Sequence, residues 1–555
     1  MNDPESCDLL ILGGGLSGLT LALQVLRARP ETSVIVLEKA SWPPPVAAHK
    51  VGESTVELGT YYLREVLGLA EYLDAEHLPK LGLRFFFKTT PGASLSERPE
   101  FGAVGELPVP SHQLDRGMLE AELAERVQAA GGGFWSSCRV GQVDLHRDGH
   151  TTQVKTPSGR REVRSRWVVD ATGRASTLKR QQKALQDSPH DSNAVWFRVA
   201  AEIDIEQWDD DPSFLARMPR GVRHLSTNHL MGDGYWVWFI PLSSGSTSVG
   251  IVSDPTRHAL KSMASFDSAM QWLGEHEPQA AAALDPLRDQ VQDFLALRKY
   301  SHGAERVFHP LRWALTGDAG VFLDPFYSPG TDFIALSNTY ITDLVARDLA
   351  GERVRSRINE YNRTYLQMFE AWVPIYERMY ETFGVGQVVA LKVVWDFSTY
   401  WSFQVPAFVN SGFLDVGFMT RTRALWQGIT ELNRTMQERL LRWARVEPNP
   451  TSLQAAFVDP MELGFLREFQ AQMVDSIPLA DLEQRLAGNL AVLEAVAAEI
   501  ERRLDERMHG VTASIANEAI AADIARCWFA DDEVAVAGRL AGPQDSESPC
   551  PSSLP

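Results

Sequence analysis

Leu9–Leu12 is an apolar run that ends in Gly13-Gly14-Gly15-Leu16-Ser17-Gly18, and a second apolar run, Val34–Leu37, ends in Glu38 and Lys39. Strand, glycine-rich turn, helix, strand and acid, in that order, are the parts of a dinucleotide site. Gly13, Gly15 and Gly18 let the backbone come close to a pyrophosphate. The N–H groups of Leu16 and Ser17 open the helix that faces it, and Glu38 accepts from a ribose hydroxyl. A second group of interest is Trp236-Val-Trp238-Phe-Ile240-Pro241. Alternate residues of a strand share a face, so the two indoles lie side by side, either in the core or as the wall of a site.

The elements that must position these groups can be read along the chain. Trp167-Val-Val-Asp170-Ala171-Thr172-Gly173-Arg174 reads as a strand closing on a glycine turn, and Arg312–Gly320, with Gly317 and Asp318, repeats that form before a helical pattern resumes. Between them and the first unit, Gln113-Leu-Asp115-Arg116 opens an Ala/Glu-rich helix. No second GxGxxG unit follows, so a built-in NAD(P)H domain is not expected. The fold class is α/β: a Rossmann-type dinucleotide-binding module over 1–350, an inserted substrate-side sheet over about 191–300, and a helical region over 351–540. That region is broken at Pro374, near Pro406 and at Pro448–Pro450, and 541–555 reads as a disordered tail.

Composition sets outer limits. A chain of 555 residues with 44% hydrophobic content can bury a large core, and a formal charge of −19 argues against nucleic acid or an anionic membrane as partner. The four cysteines, Cys7, Cys138, Cys527 and Cys550, are scattered without metal-like spacing, which predicts a reduced, cytoplasmic setting and no metal. The acidic start leads directly into the first strand, leaving no room for a signal peptide, and the apolar stretch Val385–Val394 is too short to span a bilayer.

In this order the segments resemble the FAD-dependent aromatic monooxygenase superfamily. Trp236, Trp238, Ile240 and Pro241 match the WxWxIP signature of its flavin-dependent halogenases, and Phe322-Leu-Asp-Pro325-Phe-Tyr-Ser328-Pro-Gly330 matches their FxxPxxSxG signature. The resemblance covers about residues 7–350. It implies non-covalent FAD held through Gly13, Gly15, Leu16, Ser17, Gly18, Glu38, Lys39, Glu53, Ser54, Arg116, Asp170, Gly317, Asp318 and Pro325, reduced by a separate flavin reductase. In such enzymes the flavin C4a-hydroperoxide is attacked by chloride or bromide, with O2 as oxidant, to give hypohalous acid. The two tryptophans keep the organic substrate off the flavin, Ser328 of the second signature is a further catalytic residue, and the Gly52-Glu53-Ser54-Thr55 loop links flavin and halide.

The same resemblance calls for a lysine that delivers the halogen. Lys80, in Leu78-Pro79-Lys80-Leu81-Gly82, is similar in context to the lysine of phenol- and pyrrole-type halogenases; Lys88, after Phe85-Phe86-Phe87, is closer to the tryptophan-type context. Lys80 is favoured. Tyr327 stands where tryptophan-type members carry a glutamate, which points to electron-rich phenol- or pyrrole-like arenes, free or carrier-tethered, that need less help from a base. The halide-binding residues implied are Gly330 and Thr331. Pro329, which has no N–H, removes a donor worth about 1.5–3 kcal/mol to a buried anion. An aromatic hydroxylase without halide use, or a non-catalytic flavin-fold binding protein, are the competing readings; oxygen uptake with externally reduced FAD separates the second.

Overall fold

The computed structural model describes residues 5–45, 50–447, 457–510 and 513–527. The Pro448–Pro450 break and the 541–555 tail lie outside them. The first sheet has Glu5–Leu12 at its centre, paired in parallel with Val34–Leu37 on one side and Gly159–Asp170 on the other. Gly133–Trp135 and Trp313–Leu315 extend it, also in parallel. These central strands are apolar on both faces, as a sheet covered by helices requires. Leu12 pairs with both Leu37 and Asp170, so the glycine turn, the Glu38 end and the Asp170 turn emerge together at the carboxyl ends of the strands, where ligands of such sheets bind.

The second sheet also has eight strands. Tyr235–Pro241 lies between Thr227–Gly232 and Thr247–Ser253, in antiparallel register with both. It is wider than the 191–300 insertion expected. Leu83–Phe87 and Glu100–Phe101 join from earlier in the chain, and Phe457–Val458 joins from the C-terminal region. A sheet edge left open by the insertion is thus covered by distant chain, which removes exposed backbone donors and acceptors.

Strand alternation divides this sheet between two cores. Trp236, Trp238 and Ile240 face the large core shared with the first sheet, whereas Tyr235, Val237 and Phe239 face a smaller one closed by the helix Phe266–His276.

Past residue 350 the described chain is helical apart from Phe457–Val458. Pro374 does not break its helix: Arg355–Tyr376 runs through it and ends two residues later. Proline's steric demand falls on the preceding turn, so a proline near a C-terminus is tolerated where packing holds the helix; Trp372, Ile375 and Tyr376 are all buried here. Among the described residues, no helix is long and apolar enough to cross a membrane.

Candidate active site

Gly13 and Gly18 of the dinucleotide turn leave no room for a side chain. Gly13 has φ +113°, and a Cβ on it would lie 2.3 Å from the Ala171 carbonyl oxygen; a Cβ on Gly18 would lie 2.0 Å from the carbonyl oxygen of Gly13. The turn is thereby pressed onto the Asp170 turn beside it. A Cβ on Gly15 would meet only Glu120 Oε1 and Lys50 Nζ, each at 3.8 Å, so the approach to the helix Leu16–Ala28 is open and lined by charge. Leu16 N–H donates to Glu120 Oε1 at 3.1 Å, and Glu120 is itself bound by Arg116 and Lys50. A carboxylate at this helix N-terminus, ringed by two cations, marks an anion-favouring cradle of the kind a diphosphate occupies.

The acid that follows the second strand holds the turn. Glu38 Oε2 accepts from Gly14 N–H at 2.9 Å and Oε1 from Ala40 N–H at 2.8 Å. Each oxygen keeps a lone pair for a ribose hydroxyl. Lys39 beside it is exposed. On the far side, Gly317 has φ +56° and a Cβ there would sit 2.9 Å from Ser17 Cβ, which places Asp318 at the same helix end. Burial raises the Asp318 carboxyl, and Arg174, Arg116 and Lys179 oppose that rise. These residues fit FAD: a tight glycine turn, an acid for ribose, and an acid-and-arginine wall for the chain between.

Two further expected cofactor contacts also bond within the protein. The Asp170 carboxylate accepts from Thr172 and Leu178 N–H, at 2.9 and 2.6 Å, and so braces its own turn. Glu53 is buried and its Oε1 accepts from Arg198 Nε at 2.7 Å. An ionised group this deep has to be paired, and Arg198 is its partner. Its neighbour Ser54 behaves as a link: Ser328 Oγ donates to Ser54 Oγ at 3.2 Å, and Ser54 bonds Thr227 on the second sheet at 2.9 Å.

Ser328 has φ +57°, and Pro329 caps the helix Gly330–Leu349. Pro325 closes the turn before it, accepting from Ser328 N–H at 2.8 Å. The N–H groups of Gly330 and Thr331 are in the first turn, where no intrahelical carbonyl reaches them. The two signature segments touch through Phe326, whose ring lies 5.3 Å from that of Trp236. Trp236 Nε1 donates to Tyr380 hydroxyl at 3.1 Å and Trp238 Nε1 to Ser248 Oγ at 3.2 Å. Both indoles are therefore satisfied and buried, forming a wall and not a surface that reacts.

Lys80 and Lys88 part company. The backbone of Lys80 ends the strand Leu78–Lys80, and its side chain lines a cavity together with Tyr327, Pro329, Trp372 and Phe397. Its Nζ donates to the Thr55 carbonyl at 2.5 Å, and burial pushes the ammonium down to about 7, with Glu57 and Asp332 working against that fall. Lys88 donates to Tyr235 hydroxyl at 3.1 Å and to the His276 carbonyl at 2.6 Å, over the smaller core on the opposite face of the sheet. Strand Leu83–Phe87 separates the two amines.

Sequence reasoning missed most of the cavity. Glu57, Asp332, Asp396, Tyr376 and Tyr400 line it, from four helices and a π-helical turn between residues 57 and 400. The one available signal was position: Glu57 and Asp332 follow Ser54 and Ser328 by three and four residues. Among the described residues no cluster could hold a metal.

A family model described as tryptophan halogenase matches residues 102–384, just over half of the chain. The flavin-dependent halogenase chlA of Dictyostelium discoideum is 26% identical over 438 residues, covering 73% of this chain and 71% of that protein. A 1H-pyrrole-2-carbonyl peptidyl-carrier-protein chlorinase of Pseudomonas fluorescens is 24% identical, covering 66% and 80%. In fold, the chain resembles the crystal structure of halogenase PltM, with TM-score 0.62, 16% identity and coverage of 88% and 96%, and that of the flavin-dependent halogenase CmlS, with TM-score 0.55, 22% identity and coverage of 69% and 66%. With an FAD cradle, both halogenase signatures in contact and a match over half its length, the chain belongs to the tryptophan halogenase family of flavin-dependent oxidoreductases.

Proposed function

We propose that this chain halogenates an electron-rich arene bound beside Lys80, using FADH2 delivered by a separate flavin reductase. One observation carries the reading: Lys80 is buried, lines an aromatic cavity and shares that cavity with Pro329, the residue that caps the helix Gly330–Leu349. FAD fits the Gly13–Gly18 cradle, and when bound and reduced it supplies the oxygen activation that turns halide into hypohalous acid. Gly330 and Thr331 N–H hold the halide at the helix N-terminus, where the positive end of the dipole favours an anion. Trp236, Trp238 and Phe326 wall the flavin side, and Ser328, bonded to Ser54, fixes the loop between the two compartments.

Lys80 then orients the oxidant. Among the described residues its amine has a single hydrogen-bond partner, the Thr55 carbonyl, so N–H capacity remains for an incoming oxygen. Cavity walls of Trp372, Tyr376, Phe397 and Trp401 suit a flat ring. Tyr327 is tied to Asp396 at 2.8 Å, and a neutral phenol there in place of a carboxylate supports the phenol- or pyrrole-like branch. The pyrrole relative acts on a carrier-bound substrate, and the reading covers a free arene or one on a carrier arm.

The test is mass spectrometry of phenol, indole and pyrrole incubated with the protein, FAD, a flavin reductase, NADH and chloride or bromide. Halogenated product supports the reading. Hydroxylated product without halogen replaces it by an aromatic hydroxylase.

A further inference from the structure

Three carboxyl groups face the same cavity as Lys80, and their surroundings set them apart. Asp396 is fully occupied as an acceptor: Tyr327 hydroxyl and Lys392 Nζ each donate to Oδ2 at 2.8 Å, and Gln437 Nε2 to Oδ1 at 2.6 Å. Glu57 faces the cavity from the short helix Glu57–Tyr61, and burial raises its carboxyl while Lys80 opposes that rise. Asp332 is different again. Gly59 N–H donates to its Oδ1 and Tyr400 hydroxyl to its Oδ2, both at 2.8 Å, and among the described residues no cation lies in contact with it. Tyr400 also accepts from Leu58 N–H at 3.1 Å. A hydroxyl held in this way either donates to a carboxylate or accepts from a carboxyl group, so Asp332 keeps its place in both protonation states.

Its location is as telling as its partners. Asp332 lies in the first turn of the helix Gly330–Leu349, directly after the two N–H groups assigned to halide, and its carboxyl faces Lys80 across the cavity. An ionised carboxylate there would repel a halide at the same helix end; a protonated one does not.

The geometry points to Asp332 as the proton shuttle of the halogenation step, an assignment that rests on the halogenase reading above. While Lys80 holds hypohalous acid, a ring carbon attacks the halogen. The C–X bond forms, the O–X bond breaks with its electron pair going to oxygen, and the Asp332 carboxyl proton joins the departing hydroxide to make water. The new carboxylate then takes the proton from the same ring carbon, whose C–H electrons restore aromaticity. Arene and hypohalous acid become haloarene and water, and Asp332 returns to its starting state. Burial supports the required form, since it pushes the Asp332 carboxyl up to about 8, with Tyr400, Gly59 and the nearby Lys80 charge lowering it and Glu57 raising it. The other titratable groups lining this cavity are Lys80, Tyr376, Tyr327 and Asp396.

The test uses the full-length holoenzyme with a flavin reductase, bromide and resorcinol, and taurine outside the site to trap escaping hypobromous acid. Asp332→Asn keeps an acceptor for Gly59 N–H but carries no transferable proton. Bromoresorcinol formation should fall about 10²-fold, in the range expected of an acid–base group, while FAD affinity and NADH consumption hold and bromotaurine rises to match. Wild-type product yield from Asp332→Asn would overturn the assignment.

If that variant does not fold, Tyr400→Phe decides. It leaves the carboxyl in place and removes a donor that favours its ionised form, so the alkaline fall in activity should move to higher pH. An unmoved limb overturns the proposal. Ionisation of hypobromous acid is common to all variants, so only differences between them count. If the wild type incorporates no bromide but its flavin is reoxidised, the halogenase reading itself has failed, and the shuttle with it.

Discussion

The cradle at Gly13–Gly18 and the cavity around Lys80 are both built to hold a ligand, yet they are assembled in opposite ways. The cradle comes from short, contiguous segments at the ends of adjacent parallel strands, and its shape is enforced by backbone against backbone. Gly13 and Gly18 leave no room for a side chain. The cavity draws on side chains from Val56 to Met461, supplied by the second sheet, the strand Leu78–Lys80 and helices from both halves of the chain. Its shape is enforced by packing, and its chemistry by what burial does to ionisable groups. A backbone site tolerates few substitutions and binds one kind of ligand. A packed side-chain site changes its substrate by exchanging a few residues, which is how one flavin module serves different arenes.

The sharpest way to break this comparison is to show that the cavity does not carry the halogenation chemistry. Lys80→Met should reduce halogenated product at least about 10³-fold, in the upper range for an acid–base group, with FAD binding unchanged. Product mass spectrometry and flavin titration check both halves. If product persists and Lys88→Met is the inactive variant, the assignment of the two lysines is reversed.

Next in size is the cradle itself. Gly13→Ala should weaken FAD binding about 10–100-fold, because the added Cβ meets the Ala171 carbonyl and φ +113° is strained for alanine at about 1–3 kcal/mol. Fluorescence titration with FAD reads this directly. An unchanged dissociation constant would mean that the turn yields more easily than its contacts imply.

A smaller effect is expected where the two regions meet. Pro329→Ser restores an N–H beside Gly330 and should lower the halide concentration needed for half-maximal rate about tenfold, the lower range for a hydrogen bond to an anion. The native protein should favour bromide, which is more easily desolvated than chloride. Equal use of both ions at low halide would contradict this, as would a serine variant with an unaltered requirement.

The smallest effect belongs to Lys88. Lys88→Ala should leave halogenation within about twofold and lower stability by about 1 kcal/mol, from lost packing of its stem and two hydrogen bonds. Thermal unfolding and product assays separate the two.

How much of this was legible beforehand differs between the regions. The glycine turn, Glu38, and the Gly317-Asp318 turn could be read because their function depends on local backbone geometry, and local geometry restricts residue type. For Glu53 and Asp170 the motif shows that an acid is present, but not that Arg198 or the N–H groups of Thr172 and Leu178 will bond it. Glu57, Asp332, Asp396 and Tyr400 carried little signal, since their chemistry arises only where elements far apart in the chain enclose them.

By itself the sequence determined the α/β module, the cofactor cradle and the two halogenase signatures, because strand periodicity and glycine sterics are short-range constraints written into adjacent residues. Only the tertiary structure decided which lysine faces the cavity. The strand Leu83–Phe87 puts Lys80 and Lys88 on opposite sides of a sheet, a matter of pairing with Thr227–Gly232 that neither lysine's neighbours encode. Tertiary structure likewise decided which carboxyl groups stand without a cation, because desolvation depends on everything that surrounds a group and not on what precedes or follows it.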